Sequence, residues 1–187
     1  MTNNRFHFGV GVSPWYEDFL ATGERWEKRG KRMDEQIDIL KGLMNGDYFS
    51  YKGDFYDIPE LKLCPAPTKP VPILIGGHSK LALKRAARVG DGWISAGITL
   101  EETKEFINQI NTFREEFGTL DHPNYQFQVM GEAAYSADGI KNLEDLGATE
   151  VIVAFRNAYE GGKDERTLDG MIAEINWYAE EVINKSK

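Results

Sequence analysis

The sequence contains one cysteine, Cys64, and that shortage removes two kinds of chemistry. An intramolecular disulfide cannot form, and no thiolate metal site can be assembled. Cys64 sits in LKLCPAP between extended segments, a setting that favours simple packing over a nucleophile, which would need a base beside it. Basic residues are in deficit, with 22 Lys and Arg against 30 Asp and Glu, a net charge of −8, and the acids are dispersed. Nucleic acid is therefore not an expected partner. No apolar run approaches the ~20 residues of a membrane span, and the opening MTNNRFHF has no signal-peptide core, so a cytoplasmic protein without a membrane partner is expected. There is no repeat, no low-complexity tract and no dividing linker, and residues 1–187 read as a single domain. Prolines are scarce except between Pro59 and Pro72, where five of the seven force an extended crossing.

What is present is organised around Val71–Ile94, VPILIGGHSKLALKRAARVGDGWI. Val71, Ile73, Leu74 and Ile75 make an apolar run too short for a helix, as expected for a strand covered on both faces. Gly76-Gly77 ends it. From Ser79, Leu81, Ala82, Ala86 and Val89 recur at helical spacing with Lys84, Arg85 and Arg88 opposite, and Gly90 stands at the expected C-cap. A strand that stops at two glycines before a helix presents free N–H groups and the positive end of the helix dipole, which suits phosphate. Gly76 and Gly77 would admit an anion close to the backbone, Ser79 could add an O–H donor and His78 a ring donor. The same local pattern also serves as a plain tight connection.

The rest alternates in the same way. Phe6, Phe8 and Val10 alternate before Gly9-Val-Gly11-Val12, a buried strand entering a loop where glycines would let something flat lie against the strand end. Glu24–Asn45 reads as a helix with Met33, Ile37, Leu40 and Met44 inward, and Tyr48–Ile58 as a hairpin about Lys52-Gly53-Asp54, of the kind that commonly closes over a site. Thr99-Leu-Glu-Glu102 is a capping box opening a helix with Phe106, Ile107, Ile110, Phe113 and Phe117 on one face and no visible chemistry. Tyr125–Tyr135 reads as a strand, Ile140, Leu143 and Leu146 as one face of a short helix, and Val151–Phe155 as a fully buried strand. Arg156 follows it, either to meet an anion or to form a rim pair with Glu160 or Asp164. Thr167–Lys185 is a last helix with Leu168, Met171, Ile172, Ile175, Ala179, Val182 and Ile183 inward. Five strands alternating with helices make an α/β protein, an open sheet or part of a barrel.

PILIGGHSKLALKRAARVGDGWI, with FHFGVGVSPWYEDFLATG, RMDEQIDILKGLM and the PAP-x-x-P-x-P run, resembles the luciferase-like monooxygenase superfamily, and within it the branch using coenzyme F420. The likeness runs from Phe6 to about Ile183. It implies a partial TIM (β/α)8 barrel, approximately strands four to eight with a β-hairpin insertion, because 187 residues fall short of the ~250 of a full barrel. It implies a cofactor, coenzyme F420 or FMN, with Gly76, Gly77, His78 and Ser79 at the phosphate and Gly9, Gly11 and Val12 near the ring. In the family the loop after the fourth strand carries a tryptophan and an acid-aromatic pair; here Pro14 takes the tryptophan position and Trp15 follows one place later, and Trp15 and Phe19 read equally well as a hydrophobic staple. Arg32 and Glu35 belong to a scaffold cluster. Residues from the first three strands have no counterparts, so no catalytic residue is assigned and no metal site is expected.

The expectation is an oxidoreductase acting on a small organic substrate by hydride transfer or monooxygenation. The alternative is a non-catalytic flavin-binding protein, or a truncated barrel subunit that needs a partner. A phosphate-sugar isomerase ranks last, with Glu132 as its one strand-end carboxylate. Open sheet edges and uncovered apolar faces predict a homodimer or larger assembly.

Overall fold

Short strands of three to five residues separated by helices set the architecture, and the computed structural model describes residues 3–156 and 163–186. In chain order the elements are β1 (Phe8–Val10), α1 (Tyr16–Thr22), α2 (Arg29–Met44), the hairpin strands β2 (Phe49–Lys52) and β3 (Asp57–Leu61), β4 (Ile73–Gly76) and α3 (Lys80–Val89). Then come β5 (Gly92–Ile94), α4 (Leu100–Phe117), β6 (Gln126–Met130), α5 (Ala137–Asp145), β7 (Glu150–Ile152) and α6 (Leu168–Tyr178). Five strands form one parallel sheet in the order β1-β4-β5-β6-β7, and β2 pairs antiparallel with β3. A parallel sheet whose strand order follows the chain, with helical crossovers, is an arc of a β/α barrel.

Alternation along the strands separates two faces. The row Val10, Ile75, Trp93, Phe127 meets Leu83, Ala86, Ile107, Ile110 and Phe113 of the helices in the main core. The intervening rows are Gly9, Leu74, Gly92, Gln126 and then Gly76, Ile94, Gln128, Glu150. That second face is partly polar: the Gln128 amide donates to Gln126 at 3.2 Å and to Glu150 at 2.7 Å.

Several expectations need correction. Helix α2 begins at Arg29, after Lys28 in the left-handed region, and not at Glu24. A short helix, α1, follows β1 unannounced by any periodicity. Helix α3 is rotated from the expected phase: Leu81 is 75% exposed, and Arg85 is buried. Ala82, Leu83, Ala86 and Ala87 are the residues that fit under it, and Arg85 reaches past them to Asp34 (2.7 Å) and the Gly30 carbonyl (2.9 Å). Gly90 caps α3 in extended backbone; it must be glycine for space, since a Cβ would lie 2.8 Å from the Ala86 oxygen. Cys64 is exposed, not packed.

The stretch read as strand Tyr125–Tyr135 leaves the sheet after Met130. At Gly131 a Cβ would lie 2.2 Å from the Ile98 oxygen, so the loop after β5 presses on bare backbone and a 3-10 turn, Glu132–Tyr135, follows. Strand β7 is shorter than Val151–Phe155 and only half-buried, as befits an edge. Beyond it the Tyr135 hydroxyl accepts from the Ala154 N–H (3.0 Å) and donates to its carbonyl (2.7 Å), replacing the ladder with a side chain. Helix α6 continues as a π turn, Ala179–Ile183, and buries Tyr178 and Val182, while Leu168, Ile172, Ile175 and Ile183 face outward.

The hairpin lies along α2, and its turn reaches Gln36, which lines the cleft that begins at Gly11. Glu35 accepts the backbone N–H groups of Asp54 (2.7 Å), Phe55 (3.0 Å) and Tyr56 (3.1 Å), and Gln36 donates to the Tyr56 hydroxyl at 2.7 Å. Arg32 bonds the Arg25 carbonyl and lies 3.7 Å from Glu24, so both residues of the scaffold cluster act as supports.

Candidate cofactor site at the strand ends

Strand β4 is wholly apolar until Gly76, and the turn after it is defined by what its backbone must do. Gly77 has φ 118, which side chains rarely adopt, and a Cβ there would lie 3.0 Å from that of Ala82. The Gly77 carbonyl accepts the indole N–H of fully buried Trp93 at 2.9 Å. Since C=O and N–H of a trans peptide point oppositely, this anchor turns the His78 N–H the other way. Ser79 caps α3: its hydroxyl oxygen accepts from Ala82 at 3.2 Å and its carbonyl from Leu83 at 3.0 Å. The N–H groups of Lys80 and Leu81 precede any intrahelical acceptor, and they stand at the positive end of the helix dipole.

His78 is fixed on two sides. Its Nε2 accepts the Ala96 N–H at 3.2 Å, and its ring stacks on Phe106 with centroids 5.3 Å apart. Burial pushes its pKa below the usual value, with the Glu102 carboxylate opposing, so the neutral ring carries its proton on Nδ1 and that atom is the donor it offers. The bonds from the Thr99 backbone and hydroxyl hold the Glu102 carboxyl below the usual range. Phe106 and Glu102 come from α4, the helix in which the sequence shows no chemistry. Phe106 reads there as one more apolar residue, and no sequence signal distinguishes it from Ile107.

The two glycine turns meet. A Cβ on Gly11 would stand 3.7 Å from the Gly76 oxygen, and one on Gly76 would stand 3.5 Å from the Val10 oxygen. Val12 packs against the core beside them, and with Gly11 it lines a cleft of about 320 Å³ running toward α2. Gly9 lies one pair back on the partly polar face, with nothing within 4 Å of the place a Cβ would occupy. All seven expected residues thus fall on the β1 and β4 segments, where the backbone of Gly11 comes against that of Gly76 and the first N–H groups of α3 follow, groups of the kind that suit a phosphate. Arg156 lies 3.8 Å from Asp164, a rim pair; Glu160 falls outside the described residues. Glu132 is exposed at the start of the 3-10 turn. Among the described residues no group of His, Cys, Asp and Glu could hold a metal ion, and no helix is long and apolar enough to cross a membrane.

The sequence profile of the luciferase-like monooxygenase family matches residues 1–138, and the chain belongs to that family. An uncharacterized protein of Mycobacterium tuberculosis is 45% identical over 185 residues, 99% of this chain and 63% of that protein. The chain therefore spans less than two thirds of the length of this relative. An FMNH2-dependent dimethylsulfone monooxygenase of Pseudomonas fluorescens is 35% identical over 114 residues, 59% of this chain and 31% of that one. Among solved structures, the coenzyme F420-dependent tetrahydromethanopterin reductase of Methanopyrus kandleri superposes with a TM-score of 0.71 at 13% identity, covering 97% of this chain and 74% of that one. That likeness is one of fold and supports the partial barrel.

Proposed function

We propose that the chain binds FMN or coenzyme F420 at the ends of β1 and β4 and is the cofactor-holding part of an oxidoreductase acting on a small organic substrate. The observation that carries this reading is the anchored glycine turn, with Trp93 holding Gly77 open at the N-terminus of α3. A bound flavin or deazaflavin supplies two-electron hydride chemistry. The chain's own part is to hold the phosphate with the N–H groups from His78 to Leu81 and the Ser79 hydroxyl, to offer the His78 Nδ1–H, and to keep Gly9, Gly11 and Val12 clear for the ring. The test is Gly77→Val with Ser79→Ala, titrated with FMN against riboflavin and with coenzyme F420 against its phosphate-free core. Charge-assisted bonds to an oxyanion are worth roughly 1.5–3 kcal/mol each, so the phosphorylated member of each pair should weaken tenfold or more while the other changes little. Equal losses would overturn the phosphate assignment.

The open sheet favours a second reading, a flavin-binding subunit that does not turn over alone. Consumption of reduced cofactor by the isolated chain decides between the two.

A further inference from the structure

The cleft that begins at Gly11 and Val12 holds a cation that the cofactor reading does not use. Arg29, the first residue of α2, lines it, and its guanidinium lies over the Trp26 ring at 3.4 Å from the centroid. Trp26 is itself held edge-on by Tyr16 (5.7 Å) and Phe19 (5.1 Å). The Arg29 Nε–H is buried without an acceptor, and the guanidinium makes no hydrogen bond or ion pair to any described residue. The other charged groups lining the cleft are engaged: Arg32 by the Arg25 carbonyl and Glu24, and Asp18 by the Ser13 hydroxyl at 2.5 Å. Stacking occupies the face of the Arg29 plane and leaves its edges, where the N–H donors form a fork that matches an oxyanion. Val12, Phe19 and Met33 line the same cleft with apolar surface.

We infer that this cleft takes a small organic anion, a carboxylate, sulfonate or phosphate ester, with the oxyanion on Arg29 and the apolar body on Val12, Phe19 and Met33. Of the Arg29 donors only Nε is closed off; the outer N–H groups are not buried and no described residue holds them, so an oxyanion in the cleft would meet those. That the anion is substrate rests on the cofactor reading; that the cleft binds an anion does not. A substrate anchored there would lie beside the end of β1, where the ring is placed.

The experiment is an NMR titration of the 15N-labelled chain without cofactor, following the Arg29 Nε–Hε cross-peak, which is identified by its absence in Arg29→Lys. Acetate, methanesulfonate and methyl phosphate are the probes, with sodium chloride at equal ionic strength as control. At least one probe should shift the peak saturably and beyond the chloride control, and shifts at the Gly11 and Val12 amides should weaken about tenfold in Arg29→Gln. Arg29→Lys retains the charge over Trp26 but not the fork, and should weaken binding by less than Arg29→Gln. Responses equal to those of chloride, or amide titrations unchanged in both variants, would overturn the site. If Arg29→Gln lowers affinity for FMN but not for riboflavin, the oxyanion belongs to the cofactor, and the substrate assignment is overturned. Wild-type protein that binds FMN no better than riboflavin would instead count against the phosphate loop, leaving the probe titrations to stand by themselves.

Discussion

Helices α3 and α6 both carry an apolar stripe at helical spacing, yet only one of them uses it. α3 buries Ala82, Leu83, Ala86 and Ala87, and even Arg85, between the sheet and α2 and α4. α6 buries Tyr178, and Leu168, Ile172 and Ile175 remain 72%, 47% and 54% exposed. The difference lies in position, because α3 follows a strand with neighbours on both sides and α6 follows the edge strand β7. An apolar stripe states that a helix needs a cover; the sheet around it decides whether one is supplied.

The largest expected effect falls on the covered helix. Asp34→Ala would leave the Arg85 guanidinium buried without its carboxylate, and breaking one partner of such a pair costs about 3–5 kcal/mol, toward the lower figure here because Asp34 is partly exposed. Urea denaturation measures this, and a loss below about 1 kcal/mol would mean that water reaches Arg85. The uncovered helix should respond oppositely. We propose that its stripe and the free sheet edges make the chain a homodimer or larger assembly, so Ile172→Lys with Ile175→Lys should lower the mass seen by light scattering. The fold's own stability should stay within about 0.5 kcal/mol. A wild-type monomer that binds little hydrophobic dye would remove the proposal.

The smallest effect is a pH dependence at the turn before α3. His78 has its pKa lowered in the fold, chiefly by burial, so between the unfolded value and the folded one the unfolded chain binds the extra proton. Its contribution is present above the unfolded value, is lost as the pH falls toward the folded value, and changes no further below it. Stability curves at pH 8 and pH 5 should therefore differ more for wild type than for His78→Asn; equal differences would mean that the ring titrates freely.

Much of the covered region was legible because its signals are local. Gly76-Gly77 with Ser79, the Thr99 capping box and the hairpin about Gly53 each depend on residues within a few positions, and each lies where the sequence puts it. The phase of α3 was not legible, since Leu81 and Arg85 are decided by Asp34 some fifty residues earlier, and propensity cannot see a buried guanidinium with a distant acceptor. Nor was the end of β6: Gly131 reads as a residue within a strand until the Ile98 backbone is found against it. In the candidate site, the glycines announce themselves through backbone freedom, and Phe106 and Arg29 do not, because an aromatic under a histidine and an arginine over a tryptophan are facts of tertiary packing.

The strand order has a consequence for how the molecule comes together. Each sheet strand pairs with the sheet strand before it in the chain, with no crossing between distant units. Apart from the hairpin detour between β1 and β4, every pairing closes one short crossover, so order can spread along the chain like a zipper from any unit that forms first. Fraying should run the other way, from β1 and β7 inward, with the strand carrying Trp93 the last to give way, so the turn beside Gly77 would outlast the rims on partial unfolding.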